Sequence, residues 1–273
     1  MKIAIVGCGY VGKAIARRWS QDGHWVTATT TRPERIAELK EVAGDAVAMR
    51  GDDVEAMRNL LQDQEAVLVS VGDRTRTQYK ETYLGTAANL VATLPQAPAL
   101  KQIIYTSSCS VYGDKKGEWV DEESPVAPAS DKTQTLWDTE QALLRVSSPE
   151  LRVCILRLGG IYGPGREIVK IFRNVAGKTR PGTGAEPTNW IHLDDIIGAL
   201  EFVRLKRSQG IYNLVHDVSL TSRELLDGLC ERHGLAKVSW DRSAPSTRSY
   251  NARVSNQKIR EAGYQLIHPE TML

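Results

Sequence analysis

The sequence predicts an α/β fold, a doubly wound parallel sheet followed by a smaller C-terminal lobe. Three observations carry that reading. The chain opens on a short apolar run, Lys2-Ile3-Ala4-Ile5-Val6, which passes through a glycine turn into the start of a helix. Strand-length apolar runs then alternate with helical segments through the first half, the pattern of a parallel sheet covered on both faces. Beyond about Gly159 the alternation gives way to loops marked by Gly163-Pro164-Gly165 and Pro181-Gly182-Thr183-Gly184. One domain is therefore expected over 1–158 and a smaller lobe over 159–273, some of whose strands return to the sheet.

The elements follow in order. After the turn Gly7–Gly12, a helix begins at Lys13 and closes at Gly23. His24–Thr29 forms the second strand, Pro33–Val42 a helix and Ala46–Met49 the third strand. Val54–Leu61 is a helix, Ala66–Val71 a buried strand and Tyr79–Leu94 a long helix. Gln102–Ser107 is a strand, Thr133–Val146 a helix and Val153–Arg157 a strand. In the second half Asp194 and Asp195 precede a helix over Ile196–Arg204, where carboxylates suit the N-terminus. Ile211–Val215 is a strand, and Thr221-Ser222-Arg223-Glu224 is a capping box that starts a helix ending before Gly234. Asp241–Tyr250 is polar and expected as a loop.

Composition narrows the partners. The 273 residues are 41% hydrophobic and 25% charged, with a formal net charge of +2. That balance gives no reason to expect nucleic acid or membrane as a partner. No run of 18 residues is apolar and the chain begins on a strand, so the cytoplasm is the expected compartment. Cys8, Cys109, Cys154 and Cys230 form no CxxC pair, and the five histidines show no ligand spacing. Neither a disulfide framework nor a metal site is expected.

The run Gly7-Cys8-Gly9-Tyr10-Val11-Gly12 has the Rossmann spacing, with the strand before it and the helix after it that the motif requires. Gly7 would turn tightly, Gly9 would let backbone approach a pyrophosphate, and Gly12 would let helix and strand pack closely. The phosphates would rest on the helix N-terminus, where unpaired N–H groups and the helix dipole favour anions. The second strand ends in Thr29-Thr30-Thr31-Arg32, with no carboxylate before Glu34. Hydroxyls and a guanidinium suit a ribose 2′-phosphate, so Thr30, Thr31 and Arg32 favour NADP, with NAD the other possibility. Arg32 as a solvated loop cation is the alternative.

Several further motifs occur in sequence. These are Gly51-Asp52, Tyr105-Thr106-Ser107-Ser108-Cys109-Ser110-Val111-Tyr112-Gly113-Asp114, and Leu156-Arg157-Leu158-Gly159-Gly160-Ile161-Tyr162-Gly163-Pro164-Gly165. Asn189-Trp190-Ile191-His192-Leu193-Asp194-Asp195 and Ile211-Tyr212-Asn213 follow. The series resembles the extended and atypical short-chain dehydrogenase/reductases, the NAD(P)-dependent epimerase/dehydratase family, from Met1 to about Pro269. The resemblance implies that Gly7, Gly9, Tyr10, Val11 and Gly12 hold the pyrophosphate and that Asp52 lies near the adenine. It implies that Ser70 and Val71 end the strand beneath the cofactor and that Leu158 lines the nicotinamide. Ser108 matches the catalytic Ser/Thr, while Tyr162, Asn189 and His192 fall in segments that face substrate.

The family places Tyr-x-x-x-Lys on the helix after the serine strand, one face carrying a phenol and the cation that acidifies it. Here that helix reads Lys132-Thr133-Gln134-Thr135-Leu136, with Lys132 in the Tyr place and Leu136 in the Lys place. No tyrosine occurs between Tyr112 and Tyr162. Tyr112 either supplies a phenol or packs. Lys132 acts as an amine acid/base or stays solvated. His192 is a general base beside Asp194 or orients a loop. Two function classes remain open. One is an NADP(H)-dependent oxidoreductase or epimerase-like enzyme for a small, sugar-like hydroxyl or carbonyl substrate. The other is a non-catalytic redox sensor.

Overall fold

In a computed structural model, which describes residues 1–73, 77–248 and 250–273, the elements run as follows. The first half contains β1 (Lys2–Val6), α1 (Tyr10–Gln21), β2 (Trp25–Thr30), α2 (Ile36–Lys40), β3 (Asp45–Ala48), α3 (Val54–Leu61) and β4 (Ala66–Val69). Then come α4 (Thr86–Thr93), β5 (Gln102–Ser108), β6 (Asp114–Val120), α5 (Asp131–Leu144) and β7 (Arg152–Leu158). The remainder is β8 (Gly160–Tyr162), α6 (Ile168–Phe172), β9 (Thr179–Pro181), β10 (Trp190–His192), α7 (Leu193–Lys206), β11 (Gly210–Leu214), α8 (Ser222–Arg232), β12 (Ser239–Asp241), β13 (Asn251–Val254) and α9 (Gln257–Glu261).

The main sheet has seven strands in the order β11-β7-β5-β4-β1-β2-β3. Strand β1 pairs in parallel with β2 and β4, β2 with β3 and β4 with β5, with Ile3 opposite both Val26 and Ala66. The order reverses at β1, so the crevice beyond the carboxyl ends of β1 and β4 is where this class of sheet takes a ligand. Strand β4 is buried along its whole length, as a doubly covered strand must be.

The chain divides into two compact units. Unit 1 comprises Met1–Ser108, Ser130–Arg157 and Ile197–Ile211; unit 2 comprises Cys109–Ala129, Leu158–Ile196 and Tyr212–Leu273. The 158/159 division expected from sequence is thus one crossing among several. Residues 109–129 leave for unit 2 early, and most of α7 returns to unit 1. The reason lies in pairing, since β6 in the first excursion bonds to β13 near the C-terminus. Unit 1 is held by an apolar core around Met57, Leu61, Val67, Leu90 and Ile103. Among the described residues of unit 2, one smaller core lies around Leu225, Leu226 and Leu229 and another around Tyr112, Val120 and Val254.

Two local departures matter for the site. The segment expected as one helix over Pro33–Val42 is a 3-10 turn, Pro33–Arg35, followed by five residues of α-helix. The helix expected from Tyr79 widens into a π-helical stretch, Glu81–Gly85, before α4.

Candidate functional site

The phosphate turn is shaped by what a side chain would strike. Gly7 has φ of +89°, and a Cβ there would lie 2.7 Å from the Ser70 carbonyl oxygen and 2.8 Å from Val71 Cα. Gly7 is therefore held against the end of β4, its N–H donating to Thr29 Oγ1 at 3.0 Å. A Cβ on Gly12 would come within 2.8 Å of the Gly7 carbonyl oxygen, so α1 packs directly on the turn. A Cβ on Gly9 would meet nothing within 4 Å. Gly9 caps α1 without a side-chain hydrogen bond, which leaves the first-turn N–H groups of Tyr10, Val11 and Gly12 outside the intrahelical ladder. Two glycines fix the turn from inside and the third opens it outward, as an anion cradle requires.

At the end of β2, Thr30 is buried while Thr31 and Arg32 are exposed. Thr30 Oγ1 accepts from the Arg32 N–H at 3.2 Å. Sequence reasoning missed Arg35. Its Nη1 donates to the Cys8 carbonyl at 3.0 Å, on the phosphate turn itself. Glu38 holds Arg35 and also accepts from Lys13 Nζ at 2.6 Å. These two cations pull the Glu38 carboxyl down to about 2. The trio carries one net positive charge beside the turn. Burial pushes the Cys8 thiol up to about 12.

The rest of the expected cofactor set lies in unit 1, except Leu158, which belongs to unit 2. Asp52 is held by Arg50 through two hydrogen bonds of 2.8 Å, which lower its carboxyl pKa. Ser70 Oγ accepts from Thr106 Oγ1 at 3.1 Å, tying the ends of β4 and β5 together. Val71 packs on the unit 1 core, and Leu158 is the buried last residue of β7. Ser108 ends β5, half-buried. Its neighbour Ser107 donates to Glu140 Oε1 at 2.5 Å, and Glu140 takes Arg157 Nη2 at 2.7 Å. Both charged side chains are essentially inaccessible. The end of β5 is thereby anchored by a buried ion pair that the sequence did not disclose.

Unit 2 puts the other expected residues to different use. Tyr112 is fully buried and its hydroxyl donates to Asn213 Oδ1 at 2.8 Å, which fits packing rather than a catalytic phenol. The Asn189 amide donates to Tyr250 Oη and to the Ala252 carbonyl, and its oxygen accepts the Val254 N–H. It clamps β13 and its approach, so its polar atoms are already engaged. The Tyr162 oxygen accepts the Met272 N–H at 3.0 Å. His192 is buried, and its Nδ1 accepts the Asp194 N–H at 3.2 Å, which supports the loop-orienting alternative.

Three of the histidines converge in unit 2, contrary to the expectation from spacing. His192, Asp194 and His268 bring one potential ligand atom each within 4.8 Å of the others. Asp194 Oδ2 lies 3.2 Å from His268 Nε2, 74 residues further along the chain. His216 stands nearby, its ring edge-on to Tyr162 at 5.5 Å. Burial, then the neighbouring histidines, lower its imidazole to about 3. Asp195 accepts the backbone N–H groups of Ile267 and His268. The Asp-Asp pair opens α7 as expected and also ties down the C-terminal segment. Among the described residues no helix is long and apolar enough to cross a membrane.

Comparison with known proteins agrees with this geometry. The NAD dependent epimerase/dehydratase family model matches residues 3–214. Protein YeeZ of Escherichia coli K12 is 34% identical over 222 residues, covering 78% of this chain and 77% of its own. A UDP-glucose 4-epimerase from Thermotoga maritima, solved with UDP-glucose, superposes with a TM-score of 0.80 at 19% identity, over 96% of this chain and 92% of that one. A dTDP-glucose 4,6-dehydratase from Streptomyces venezuelae, solved with NAD and TYD, gives 0.78 at 22% identity, over 97% and 92%.

Proposed function

Since the chain belongs to the NAD-dependent epimerase/dehydratase family, we propose that it is an NADP(H)-binding oxidoreductase or epimerase-like enzyme. Its substrate is a small, sugar-like hydroxyl or carbonyl compound. The observation that carries this reading is the glycine turn, closed by Gly7 and Gly12 and open at Gly9. A dinucleotide fits those residues: the open face at Gly9 admits a pyrophosphate that a side chain would displace. When bound, the nicotinamide supplies or receives a hydride.

The chain's own residues do the rest. The first turn of α1 binds the pyrophosphate through its backbone N–H groups. Thr30, Thr31 and Arg32 read the ribose end, with Asp52 toward the adenine. Arg35, poised on the Cys8 carbonyl, adds a second guanidinium for a 2′-phosphate. Ser70, Val71 and Leu158 line the nicotinamide end. Ser108 hydrogen-bonds the reacting oxygen of the substrate, and the buried Glu140–Arg157 pair keeps its strand end in place. Tyr162, Asn189 and His192 build the substrate-facing lobe by holding its strands and C-terminal segment in register.

The test is a turnover screen of sugar and small carbonyl compounds with NADPH, run on the wild type and Ser108→Ala. The enzyme reading expects activity that falls about 10²–10³-fold in Ser108→Ala, the usual effect of losing one oriented donor, with NADPH affinity unchanged. Absence of turnover together with an NADPH-dependent affinity for a protein partner would replace it with the sensor reading.

A further inference from the structure

Strand β10 ends on His192, and α7 opens on Leu193-Asp194-Asp195. Asp194 Oδ2 lies 3.4 Å from His192 Nδ1. The same oxygen lies 3.2 Å from His268 Nε2. The two imidazoles meet edge to face, ring centres 4.1 Å apart. His268 is placed here by its backbone. Asp195 accepts the Ile267 N–H at 2.5 Å and the His268 N–H at 3.1 Å, while the Pro269 carbonyl accepts the Asp217 N–H at 2.9 Å. The chain is thus tied down on both sides of His268, and little order remains to be gained when a ligand arrives.

Proton bookkeeping shows what the cluster lacks. His192 Nδ1 accepts the Asp194 N–H at 3.2 Å, so that nitrogen carries a lone pair and the ring proton sits on Nε2. The Asp194 carboxylate oxygen beside it is also an electron-pair donor. The two face each other with no proton to join them, and a cation is what ties such a pair together. His216 is engaged elsewhere: its Nδ1 stands 3.1 Å from Thr271 Oγ1 and its Nε2 3.5 Å from the Tyr162 hydroxyl.

We propose that His192, Asp194 and His268 form a binding site for a divalent transition metal of the zinc class. Two imidazole nitrogens and one carboxylate oxygen bind the ion, and its fourth position is open to water. Ligands about 2.0–2.2 Å from a tetrahedral zinc stand roughly 3.3–3.6 Å from one another. The two spacings to Asp194 Oδ2 are close to that edge, and all three potential ligand atoms lie within 4.8 Å. Imidazole with carboxylate suits zinc and its transition-metal neighbours, whereas magnesium and calcium take oxygen donors. Asp194 is exposed and His268 half-buried, which gives the ion a way in and its water a place. The Asp194 N–H belongs to the first turn of α7, outside the intrahelical ladder, and turns to solvent when Nδ1 takes the metal. The bound ion ties the C-terminal segment to the start of α7, 74 residues away. The dinucleotide reading plays no part in this site.

The experiment titrates Co²⁺ and then Zn²⁺ into the full chain stripped of metal by a chelator. The wild type is expected to take one Co²⁺ per chain, with a visible d–d band of four-coordinate intensity that one equivalent of Zn²⁺ removes. His268→Gln and Asp194→Asn are each expected to weaken binding at least about 100-fold, because losing a group that only supports a ligand already costs about 10–100-fold. His233→Gln, at an exposed histidine elsewhere in the chain, is expected to leave binding unchanged. A second readout needs no substitution. In wild-type protein labelled with ¹⁵N-histidine, Zn²⁺ is expected to shift the ring nitrogens of two of the five histidines, and the signal lost in His268→Gln identifies one of them. No binding below millimolar zinc, binding as tight in His268→Gln as in the wild type, or shifts confined to His24, His216 and His233 overturns the proposal. A chain that binds Zn²⁺ at these residues and neither dinucleotide upholds the metal site and overturns the enzyme reading alone.

Discussion

Replacing Glu140 by Gln tests the buried frame behind Ser108. Glu140 is 0% exposed and Arg157 1%, and the carboxylate takes the guanidinium at 2.7, 3.1 and 3.2 Å. The same carboxylate accepts from Ser107 at 2.5 Å. A glutamine keeps the shape, removes the negative charge and leaves the Arg157 charge buried without compensation. Breaking one partner of such a pair costs about 3–5 kcal/mol. For a chain of this size that is a fall in Tm of roughly 10 °C. Arg157→Met strands the carboxylate instead and costs a comparable amount. The double variant, with both charges gone, is expected to lose less than the sum of the two single variants. Urea unfolding of the three variants completes the cycle. A Glu140→Gln loss below about 1 kcal/mol, the level of an exposed pair, would refute the reasoning, as would strict additivity.

Three more outcomes follow from the geometry. The His216 imidazole, lowered to about 3 by burial, ionises near 6.5 in the unfolded chain. Between those values the unfolded state binds more protons, so this contribution is complete above pH 6.5 and is lost as pH falls toward 3. At pH 5 the loss is about 2 kcal/mol. Urea midpoints at pH 7 and pH 5 are expected to show that increment in the wild type and not in His216→Asn; equal pH dependence in both contradicts it. Cys8, pushed up to about 12, is expected to resist iodoacetamide at pH 8 in the folded protein and to react on denaturation, so rapid labelling of the native thiol would contradict its burial. Arg32→Ala and Arg35→Ala are each expected to weaken NADPH about 10-fold or more and to spare NADH, by the loss of a guanidinium–phosphate contact. Fluorescence titration decides this, and equal loss for both dinucleotides would assign the residues to the shared part of the ligand.

Legibility followed range along the chain. The strand, glycine turn and helix at the start are a local construction, and each residue type there answers to its immediate backbone. The structure puts α1, β2 and β4 within a few residues of their expected positions, and α3 and the capping box of α8 at them. Strands β6 and β13 escaped notice because β6 is polar, DKKGEWV, and exists through pairing with a segment far along the chain. The same distance hid the His192–Asp194–His268 grouping and the hold of Asp195 on Ile267. Arg35 is not legible in the sequence because spacing points to the end of β2 as the ribose-reading place, while a 3-10 turn swings Arg35 back over Cys8. Hydrophobic periodicity does not reveal the π-helical stretch Glu81–Gly85 either.

The central claim is that the Gly7–Gly12 turn holds a dinucleotide, and calorimetric titration of NADPH into the wild type and Gly12→Val tests it most directly. The added side chain begins 2.8 Å from the Gly7 carbonyl and 3.2 Å from Ile5 Cγ2, so α1 must move off the turn. The wild type is expected to saturate at one NADPH per chain, more tightly than with NADH. Gly12→Val is expected to remain folded by circular dichroism, with lower stability and no measurable binding. A folded Gly12→Val that binds NADPH as well as the wild type, or a folded wild type that binds neither dinucleotide, would contradict the claim.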